Sequence, residues 1–260
     1  MEEFSKRFAQ IPPPLVTKVN GVATEDGFIY IGKCIADAIE KEVVGLSGAQ
    51  HVLDFGSGLG RVMVQLLPRA PQAEFVGFDI DPMMLHWSGL LLEDPRTRLV
   101  STTFDLPDES FDLIIAISVF THLDVTTDFW LTEIHRLLHP RGQAFVTFHD
   151  ETLFAEMAKA GQIPGATPDT PLSDCHVVGD GTAEGGASMG TFYTTKHWDS
   201  LLDRYFTIHH TAPRGLFGHQ SYSLVSKKPV IIDRTSLYGQ YARSLERELF
   251  SLRKQHQVYY

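Results

Sequence analysis

The sequence predicts an α/β fold in which helices cover both faces of a doubly wound, mostly parallel sheet. Short apolar runs alternate with segments of helical periodicity, which is the pattern of βαβ units. The run at 112–118 is apolar enough to be a strand buried on both faces. The run at 51–55 breaks at once into three alternating glycines, Gly56, Gly58 and Gly60, followed by a helical segment. Strand, glycine turn and helix form the arrangement in which such a sheet receives a nucleotide-like ligand.

The first half of the chain carries four predicted strands. Residues 1–30 are expected to be irregular because Pro12, Pro13 and Pro14 force an extended start, and a helix is expected near 31–45. Asp81 is placed to cap the helix that follows the second strand. The strands are predicted at 51–55, 74–79, 98–102 and 112–118, and the capped helix at 83–93.

The second half continues the alternation. After the fourth strand, apolar residues at helical spacing predict a helix, and Pro140 with Gly142 ends it. A fifth strand is predicted at 144–149, a helix at 196–205 and two last strands at 206–211 and 220–226. The apolar positions of the first helix are Phe129, Trp130, Ile134, Leu137 and Leu138.

Two segments lie outside the predicted sheet. Residues 161–190 hold seven glycines and three prolines and show no period, so we expect an insert that is either a lid or disordered. The chain is therefore divided into a cap segment and helix at 1–45, a main domain at 46–228 and a C-terminal helix at 229–260. That helix either packs on its own domain or forms a dimer. Its apolar stripe is Leu237, Tyr241, Leu245, Leu249 and Leu252.

The composition of the chain excludes some classes of binding partner. The net charge of −10 argues against a nucleic-acid substrate, since phosphate contacts need clustered Lys and Arg. The longest apolar run is too short to span a bilayer, so no membrane partner is expected. An acidic start without a secretory signal and only two cysteines, Cys34 and Cys175, favour the cytoplasm.

The spacing of the glycines separates two kinds of ligand. A dinucleotide fingerprint is GxGxxG, and its last glycine would fall at Arg61, so the chain has GxGxG instead. Asp79 lies nineteen residues after Gly60, at the end of the second strand, where a carboxylate can accept both ribose hydroxyls. Asp54, at the end of the first strand, either contacts the ligand or orients the loop.

These residues resemble the class I S-adenosylmethionine-dependent methyltransferases, and further motifs extend the resemblance. Segments 106–112 and 118–123 look like those that enter and leave the fourth strand in small-molecule methyltransferases, and 138–142 resembles the family's Leu-Lys-Pro-Gly-Gly turn, with His139 and Arg141 as departures. The resemblance covers 48–150 well and 190–228 loosely. It implies a seven-stranded Rossmann-like methyltransferase fold with an antiparallel final strand.

The resemblance implies S-adenosylmethionine as cofactor, S-adenosylhomocysteine as product and no metal. Ser57 and the glycines would hold the methionine end, Asp79 the ribose, and Ile80, Thr103 and Phe104 the adenine. Arg61 would contact the cofactor's carboxylate or a substrate acid, or lie on the helix surface. The predicted cofactor site is Asp54, Gly56, Ser57, Gly58, Gly60, Arg61, Asp79, Ile80, Thr103, Phe104 and Ser118.

Methyl transfer to a hydroxyl usually needs a base, most often His or a carboxylate. His122 follows the fourth strand, and His149 and Asp150 follow the fifth, so these three are the catalytic candidates. Tyr30 and His219 are candidates for acceptor binding. The expected acceptor is a small molecule such as a sugar or a polyketide-like secondary metabolite. The 160–195 stretch lacks Lys and Arg, which favours a neutral or cationic acceptor over a phosphorylated one.

Four alternatives remain open at this stage. N-methylation is the nearest. An aminopropyl transferase shares the fold, but the residues at 118–122 lack the Asp-rich gate it would need. A nicotinamide oxidoreductase is disfavoured by Arg61. A non-catalytic protein that binds an adenosyl ligand is compatible with the same motifs.

Overall fold

The computed structural model describes residues 2–167, 169–179, 189–236, 238–239 and 241–243. Its centre is a seven-stranded sheet in the order β3-β2-β1-β4-β5-β9-β8. The first five strands are parallel, and β9 runs antiparallel to both β5 and β8. The predicted fold, with its antiparallel final strand, is confirmed. The strands are β1 His51–Phe55, β2 Glu74–Phe78, β3 Thr97–Val100, β4 Phe111–Ala116, β5 Leu138–Phe148, β6 Cys175–Val178, β7 Gly190–Tyr193, β8 Phe206–Leu216 and β9 Gln220–Lys227.

Helices pack on both faces of this sheet. Along β4, Leu113 and Ile115 join the core on one face, while Ile114 and Ala116 join the core on the other, as expected for a strand buried on both sides. The core that contains Leu113 also includes residues of α3 and α4, whereas the core that contains Ile114 includes residues of α6 and α8. The helices are α1 Glu2–Phe8, α2 Pro13–Asn20, α3 Glu25–Glu42, α4 Arg61–Leu66, α5 Pro82–Leu92, α6 Thr127–Leu137, α7 Glu151–Lys159 and α8 Thr195–Asp203.

The N-terminal segment is helical, so the expectation of an irregular start is wrong. Pro13 stands in the first turn of α2, where a missing N–H costs nothing because no helical acceptor exists for it. Thr24 caps α3, which begins at Glu25 rather than near 31, by accepting a bond from the Gly27 N–H at 3.2 Å. Phe8, Val16 and Phe28 pack in a cluster of their own with residues of α5.

The insert also contains more structure than its composition predicts. Residues of β6 pair with β7 in an antiparallel hairpin, with Cys175 opposite Tyr193. The paired residues are few, and glycines and prolines surround them, so no alternation of apolar residues marks the hairpin in the sequence. Residues 168 and 180–188 lie outside the described residues.

The C-terminal helix begins later than expected. Residues 229–233 are not helical, whereas 234–236, 238–239 and 241–243 are. The Tyr241 ring stacks on Phe129 of α6, with centroids 4.0 Å apart, so this part packs on its own chain. Residues 244–260, and with them most of the predicted stripe, lie outside the described part, as does Leu237. Among the helices that the structure describes, none combines the length and apolar character needed to cross a membrane.

Candidate active site

The glycine turn is held against the neighbouring strand. The N–H groups of Gly56 and Ser57 both donate to the Phe78 carbonyl, at 2.7 and 2.8 Å, and the Gly60 N–H donates to the Ser57 carbonyl at 2.8 Å. These bonds bend the chain sharply between β1 and α4 at the carboxyl edge of the sheet. The turn therefore has one fixed shape.

Two glycines of this turn lie under other segments. A Cβ on Gly56, whose φ is +79°, would come within 2.4 Å of Val119 Cγ2 in the loop after β4. A Cβ on Gly58 would lie 3.3 Å from Val19 Cγ2 at the end of α2. Glycine at these positions permits both the left-handed backbone and the close approach of other groups to the main chain.

Asp79 connects the turn to the next strand. Its Oδ2 accepts a bond from the Gly58 N–H and its Oδ1 one from the Asp81 N–H, both at 2.8 Å. Burial raises the pKa of this carboxyl, and the two N–H groups oppose the rise. Asp81 caps α5 by accepting from the Met83 N–H at 2.9 Å, which agrees with the capping interpretation. Each Asp79 oxygen keeps a lone pair for a ligand hydroxyl.

A cavity of about 140 Å³ opens beside Asp79. Ile80, Ser118 and His122 line it, as does Gly56. The apolar wall of this cavity was not predicted from the sequence, because the pattern of its residues indicates only core positions of strands and of α6. That wall consists of Phe55, Phe78, Val119, Leu123 and Trp130.

Thr103 and Phe104 are not among the residues that line this cavity, and their assignment to the adenine slot stays a prediction. Thr103 is buried and its hydroxyl donates to Glu133 Oε2 at 3.0 Å. Phe104 packs edge-on against Tyr238, with centroids 5.8 Å apart, and lines a different cavity with Arg136. Arg136 of α6 holds this loop, because its Nη2 donates to the Thr103 carbonyl at 2.8 Å.

Two buried polar atoms under the turn have no hydrogen-bond partner in the described protein. They are Asp54 Oδ2 and Ser57 Oγ. Full burial, with Asp79 nearby, raises the pKa of Asp54 to about 7. An unpaired buried polar atom is costly, so these atoms are suited to a polar or cationic ligand group.

Arg61 is half-buried at the start of α4, and its guanidinium contacts the end of α2. Its Nη1 donates to the Val19 carbonyl at 2.8 Å and to Asn20 Oδ1 at 3.1 Å. Nε has no hydrogen-bond partner in the described protein. Burial lowers the pKa of the guanidinium to about 10, and Asp54 opposes that shift through space.

A second cavity, of about 260 Å³, adjoins the first at Ser118. Arg61, His219 and Gln220 line it with apolar residues of α3 and of the β8–β9 turn. Ser118 has a φ of +60°, and its hydroxyl accepts a bond from Gln220 Nε2 at 2.7 Å. Gln220 Oε1 is buried without a partner among the described residues, a feature that no sequence motif indicates.

His122 lines the first cavity and His219 the second, whereas His149 lines neither and lies beside His219. Neither ring nitrogen of His149 has a partner among the described residues, and its ring centroid is 5.4 Å from that of His219. Burial, with the charges of His219 and His122, lowers the pKa of His149 to about 3. His122 Nδ1 contacts the Met189 carbonyl, and burial lowers its pKa as well. His149 is therefore neutral at physiological pH.

Asp150 and Tyr30 have other surroundings than expected. Asp150 Oδ1 accepts from the Leu153 N–H at 2.9 Å and caps α7, while Oδ2 accepts from the Ser221 hydroxyl at 2.5 Å. Both oxygens are engaged in holding β5, α7 and β9 together, which favours a structural role. Tyr30 is 66% exposed on α3, and its neighbour Ile31 lines the second cavity instead.

No group of three or more possible metal ligands is found among the described residues. The site thus consists of backbone N–H groups, the buried carboxyl of Asp54, the half-buried carboxyl of Asp79, one guanidinium and imidazoles.

Comparison with known proteins agrees with this arrangement. Residues 53–144 match the family model described as a methyltransferase domain. Two solved structures show the fold. The PH0226 protein of Pyrococcus horikoshii has a TM-score of 0.56 at 17% identity, covering 79% of this chain and 92% of that one. The glycopeptide N-methyltransferase MtfA, complexed with S-adenosyl-L-homocysteine, has a TM-score of 0.55 at 15% identity, covering 76% and 90%.

Curated relatives are methyltransferases with different substrates. The uncharacterized methyltransferase YdaC of Bacillus subtilis is 28% identical over 107 residues, 40% of this chain and 59% of the relative. A tRNA1(Val) (adenine(37)-N6)-methyltransferase of Porphyromonas gingivalis is 27% identical over 48% of this chain and 52% of the relative. A malonyl-(acyl-carrier protein) O-methyltransferase 1 of Ilyobacter polytropus is 28% identical over 52% and 51%.

The chain thus spans only 51–59% of the length of these relatives. The matched part contains the glycine turn and Asp79. Sequence, geometry and fold agree, and the matched methyltransferase domain at 53–144 supports the class I S-adenosylmethionine-dependent methyltransferase superfamily for this chain.

Proposed function

We propose that the protein transfers a methyl group from S-adenosylmethionine to a hydroxyl of a small molecule. The observation that carries this proposal is the meeting of two cavities at Ser118. One contains the glycine turn and Asp79, and the other contains His219 and Gln220. A donor and an acceptor bound in the two cavities would meet at Ser118, as an in-line displacement requires.

The residues of the first cavity fit the cofactor. When bound, S-adenosylmethionine supplies an electrophilic methyl group on a sulfonium centre. Asp79 would accept bonds from the ribose hydroxyls, while Ile80 and Trp130 would provide an apolar wall. The unpaired Asp54 Oδ2 and Ser57 Oγ match a cationic amino group and a polar ligand atom. The close packing over Gly56 leaves the turn's backbone, rather than side chains, to face the ligand.

His149 is the proposed base. Its ring is neutral and both nitrogens are unpaired in the described protein, so one of them can take the proton of an acceptor hydroxyl as the C–O bond forms. His122 and His219 would position the acceptor. The low pKa of His149 makes it a weak base, so the barrier falls mainly through alignment. N-methylation remains the second candidate, because a neutral amine needs less help from a base.

A small-molecule acceptor is favoured by the charge of −10, which repels nucleic acid. A role in secondary metabolism and a cytoplasmic location, supported by free Cys34 and Cys175, belong to the same proposal. The stacking of Tyr241 on Phe129 supports a C-terminal segment that serves its own chain rather than a dimer.

The donor half is tested by calorimetry with S-adenosylmethionine, S-adenosylhomocysteine and NADH. We expect both adenosyl ligands to bind and NADH not to bind. Binding of NADH alone would contradict the proposal.

The acceptor half is tested with methyl-labelled S-adenosylmethionine and a fractionated cell extract. Low-mass metabolites, tRNA and acyl-carrier proteins are offered separately, since two relatives are named for the latter kinds of substrate. We expect label in the low-mass fraction, bound through oxygen by mass spectrometry. Label in tRNA or in acyl-carrier protein instead would overturn the small-molecule assignment.

A further inference from the structure

The described residues that follow β9 run along α6, and we call them the C-terminal strap. They are residues 228–236, 238–239 and 241–243. The Lys228 carbonyl accepts a bond from His135 Nε2 at 2.8 Å, and the Tyr238 hydroxyl donates to Glu133 Oε1 at 2.5 Å. His135 and Glu133 both belong to α6. The strap therefore packs on a helix of the matched methyltransferase domain, although it lies outside that domain itself.

The strap and the loop after β3 share one buried carboxylate. The Thr103 hydroxyl donates to Glu133 Oε2 at 3.0 Å, so the two oxygens of Glu133 join the loop and the strap. Arg234 of the strap forms an ion pair with Asp108 of the same loop at 3.1 Å. Burial, with Glu133 nearby, raises the pKa of Tyr238 to about 12, so its hydroxyl keeps its proton and remains a donor. These bonds hold the strap against α6 and the loop together.

Tyr241 brings the strap to the wall of the first cavity. Its ring stacks on Phe129, with centroids 4.0 Å apart, and meets Trp130 edge-on at 5.3 Å. Trp130 lines the first cavity together with Phe55 and Phe78, and its ring centroid lies 5.3 and 5.6 Å from theirs. Tyr241 is not among the residues that line this cavity. A continuous group of aromatic rings thus connects the strap to the wall that would face the adenosyl ligand.

The position of the Trp130 ring depends on these neighbours. A side chain that lines a cavity is packed by protein on its remaining sides only, because the cavity itself supplies no protein atoms. Trp130 is 8% exposed, so those sides are closed, and Tyr241 closes one of them. Loss of one ring from such a cluster removes an aromatic pair and leaves a space into which its neighbours relax. Removal of the Tyr241 ring should therefore move Trp130 and change the shape of the first cavity.

We propose that Tyr241 is a positioning residue whose ring sets the place of Trp130 in the wall of the first cavity, so that the C-terminal strap controls the affinity for the adenosyl ligand. Tyr241 acts through Trp130 and touches neither the ligand nor the reacting atoms. Because coupling between two sites is reciprocal, bound ligand in turn holds the strap on α6. The inference rests on the proposed function and adds to it a part of the chain that lies outside the matched domain.

The first test compares the affinity of variants for S-adenosylhomocysteine by calorimetry. Tyr241→Ala should weaken binding by roughly 2- to 10-fold, the range for one aromatic pair, whereas Tyr241→Phe keeps the ring and should retain the affinity of the full chain. Tyr205→Ala is the control, since Tyr205 packs on the same core but its ring contacts Phe206 rather than Trp130. In a Trp130→Leu background, Tyr241→Ala should have no further effect, because the residue through which it acts is absent.

The second test uses the unaltered chain and the reciprocal effect. Hydrogen exchange is followed at the backbone amides of 238–239 and 241–243 with and without saturating S-adenosylhomocysteine, with α8 as the reference for any change in global stability. The ligand should slow exchange in the strap by more than it does in α8. In Tyr241→Ala, the slowing in the strap should fall to the level of α8.

The outcomes separate the two levels of the proposal. If neither S-adenosylmethionine nor S-adenosylhomocysteine binds the full chain, the proposed function fails and this inference fails with it. If S-adenosylhomocysteine binds, but Tyr241→Ala has unchanged affinity or loses as much with Trp130→Leu as without it, the role of Tyr241 is overturned while the proposed function stands. Exchange in the strap that the ligand slows no more than in α8 also overturns that role, and this measurement decides the matter if thermal unfolding shows a variant to be unfolded.

Discussion

Burial sets the charge of individual residues at the carboxyl edge of the sheet. It raises the pKa of Asp54 to about 7, lowers that of Arg61 to about 10 and lowers that of His149 to about 3. The three shifts have the same cause, because each charged form loses water without gaining a direct ionic partner among the described residues. Perturbed pKa values gathered in one cleft are typical of functional sites.

Asp79→Ala should weaken binding of S-adenosylhomocysteine by about 1.5–3 kcal/mol, the value of hydrogen bonds to a charged group. Calorimetry measures the change. The matched control is Asp203→Ala, which removes a carboxylate paired with Lys228 at the surface. An unchanged dissociation constant in Asp79→Ala would remove this residue from the site.

His149→Ala should slow methyl transfer to the labelled acceptor while the affinity for S-adenosylhomocysteine stays the same. With a pKa of about 3 the ring is neutral from pH 5 to 8, so its NMR signals should not shift across that range. His209→Ala, at an exposed position of β8, is the control. Turnover at the wild-type rate in His149→Ala would refute the role of base.

At the scale of elements, the glycine turn is shaped by contacts from segments distant in sequence. Two glycines with nearly the same φ show the difference. Gly56 has a φ of +79° and Val119 against it, whereas Gly45 has a φ of +78° and no atom within 4 Å of the added Cβ among the described residues. Comparing alanine substitutions at these two positions therefore separates the cost of a left-handed backbone from the cost of a steric contact.

Gly45→Ala should lower the free energy of unfolding by about 1–2 kcal/mol, the cost of a left-handed alanine, and leave ligand affinity intact. Gly56→Ala should lower it further and also weaken S-adenosylhomocysteine binding, because the turn or Val119 must move. Denaturant unfolding and calorimetry measure the two effects. Equal losses in both variants would mean that the Val119 contact is unimportant.

At the scale of the whole molecule, the raised pKa of Asp54 links stability to pH. The folded state keeps a proton between pH 4 and 7 that the unfolded chain has released. The contribution of this proton to the free energy of unfolding is therefore fully present below about pH 4. It is lost as the pH rises through 7, at up to about 1.4 kcal/mol per pH unit.

Asp54→Asn removes this titration. The free energy of unfolding of Asp54→Asn minus that of the wild type should become more positive between pH 4 and 7 and then level off. Urea unfolding at several pH values measures it. A difference that does not vary with pH would show that Asp54 is not the group responsible.

The sequence predicted the sheet and the glycine turn after β1 because both depend on local signals. Alternating apolar runs mark the strands, and the glycines, Asp79 and the Asp81 cap act within a few residues of their position. The N-terminal helices were missed because prolines in a first helical turn resemble an extended segment. The bond of Thr103 to Glu133 and that of Gln220 to Ser118 were not predicted, because the two partners of each bond are far apart in the chain.

The meeting of the two cavities at Ser118 has a consequence for redesign. Residues 53–144, which match the methyltransferase domain, contain the glycine turn and Asp79, whereas His219 belongs to the turn between β8 and β9 and Gln220 begins β9. That turn is a contiguous stretch at the edge of the sheet, next to strands that other bonds hold in register. Under the proposed function, exchanging this stretch as a unit should change the acceptor preference while the affinity for the adenosyl ligand is kept.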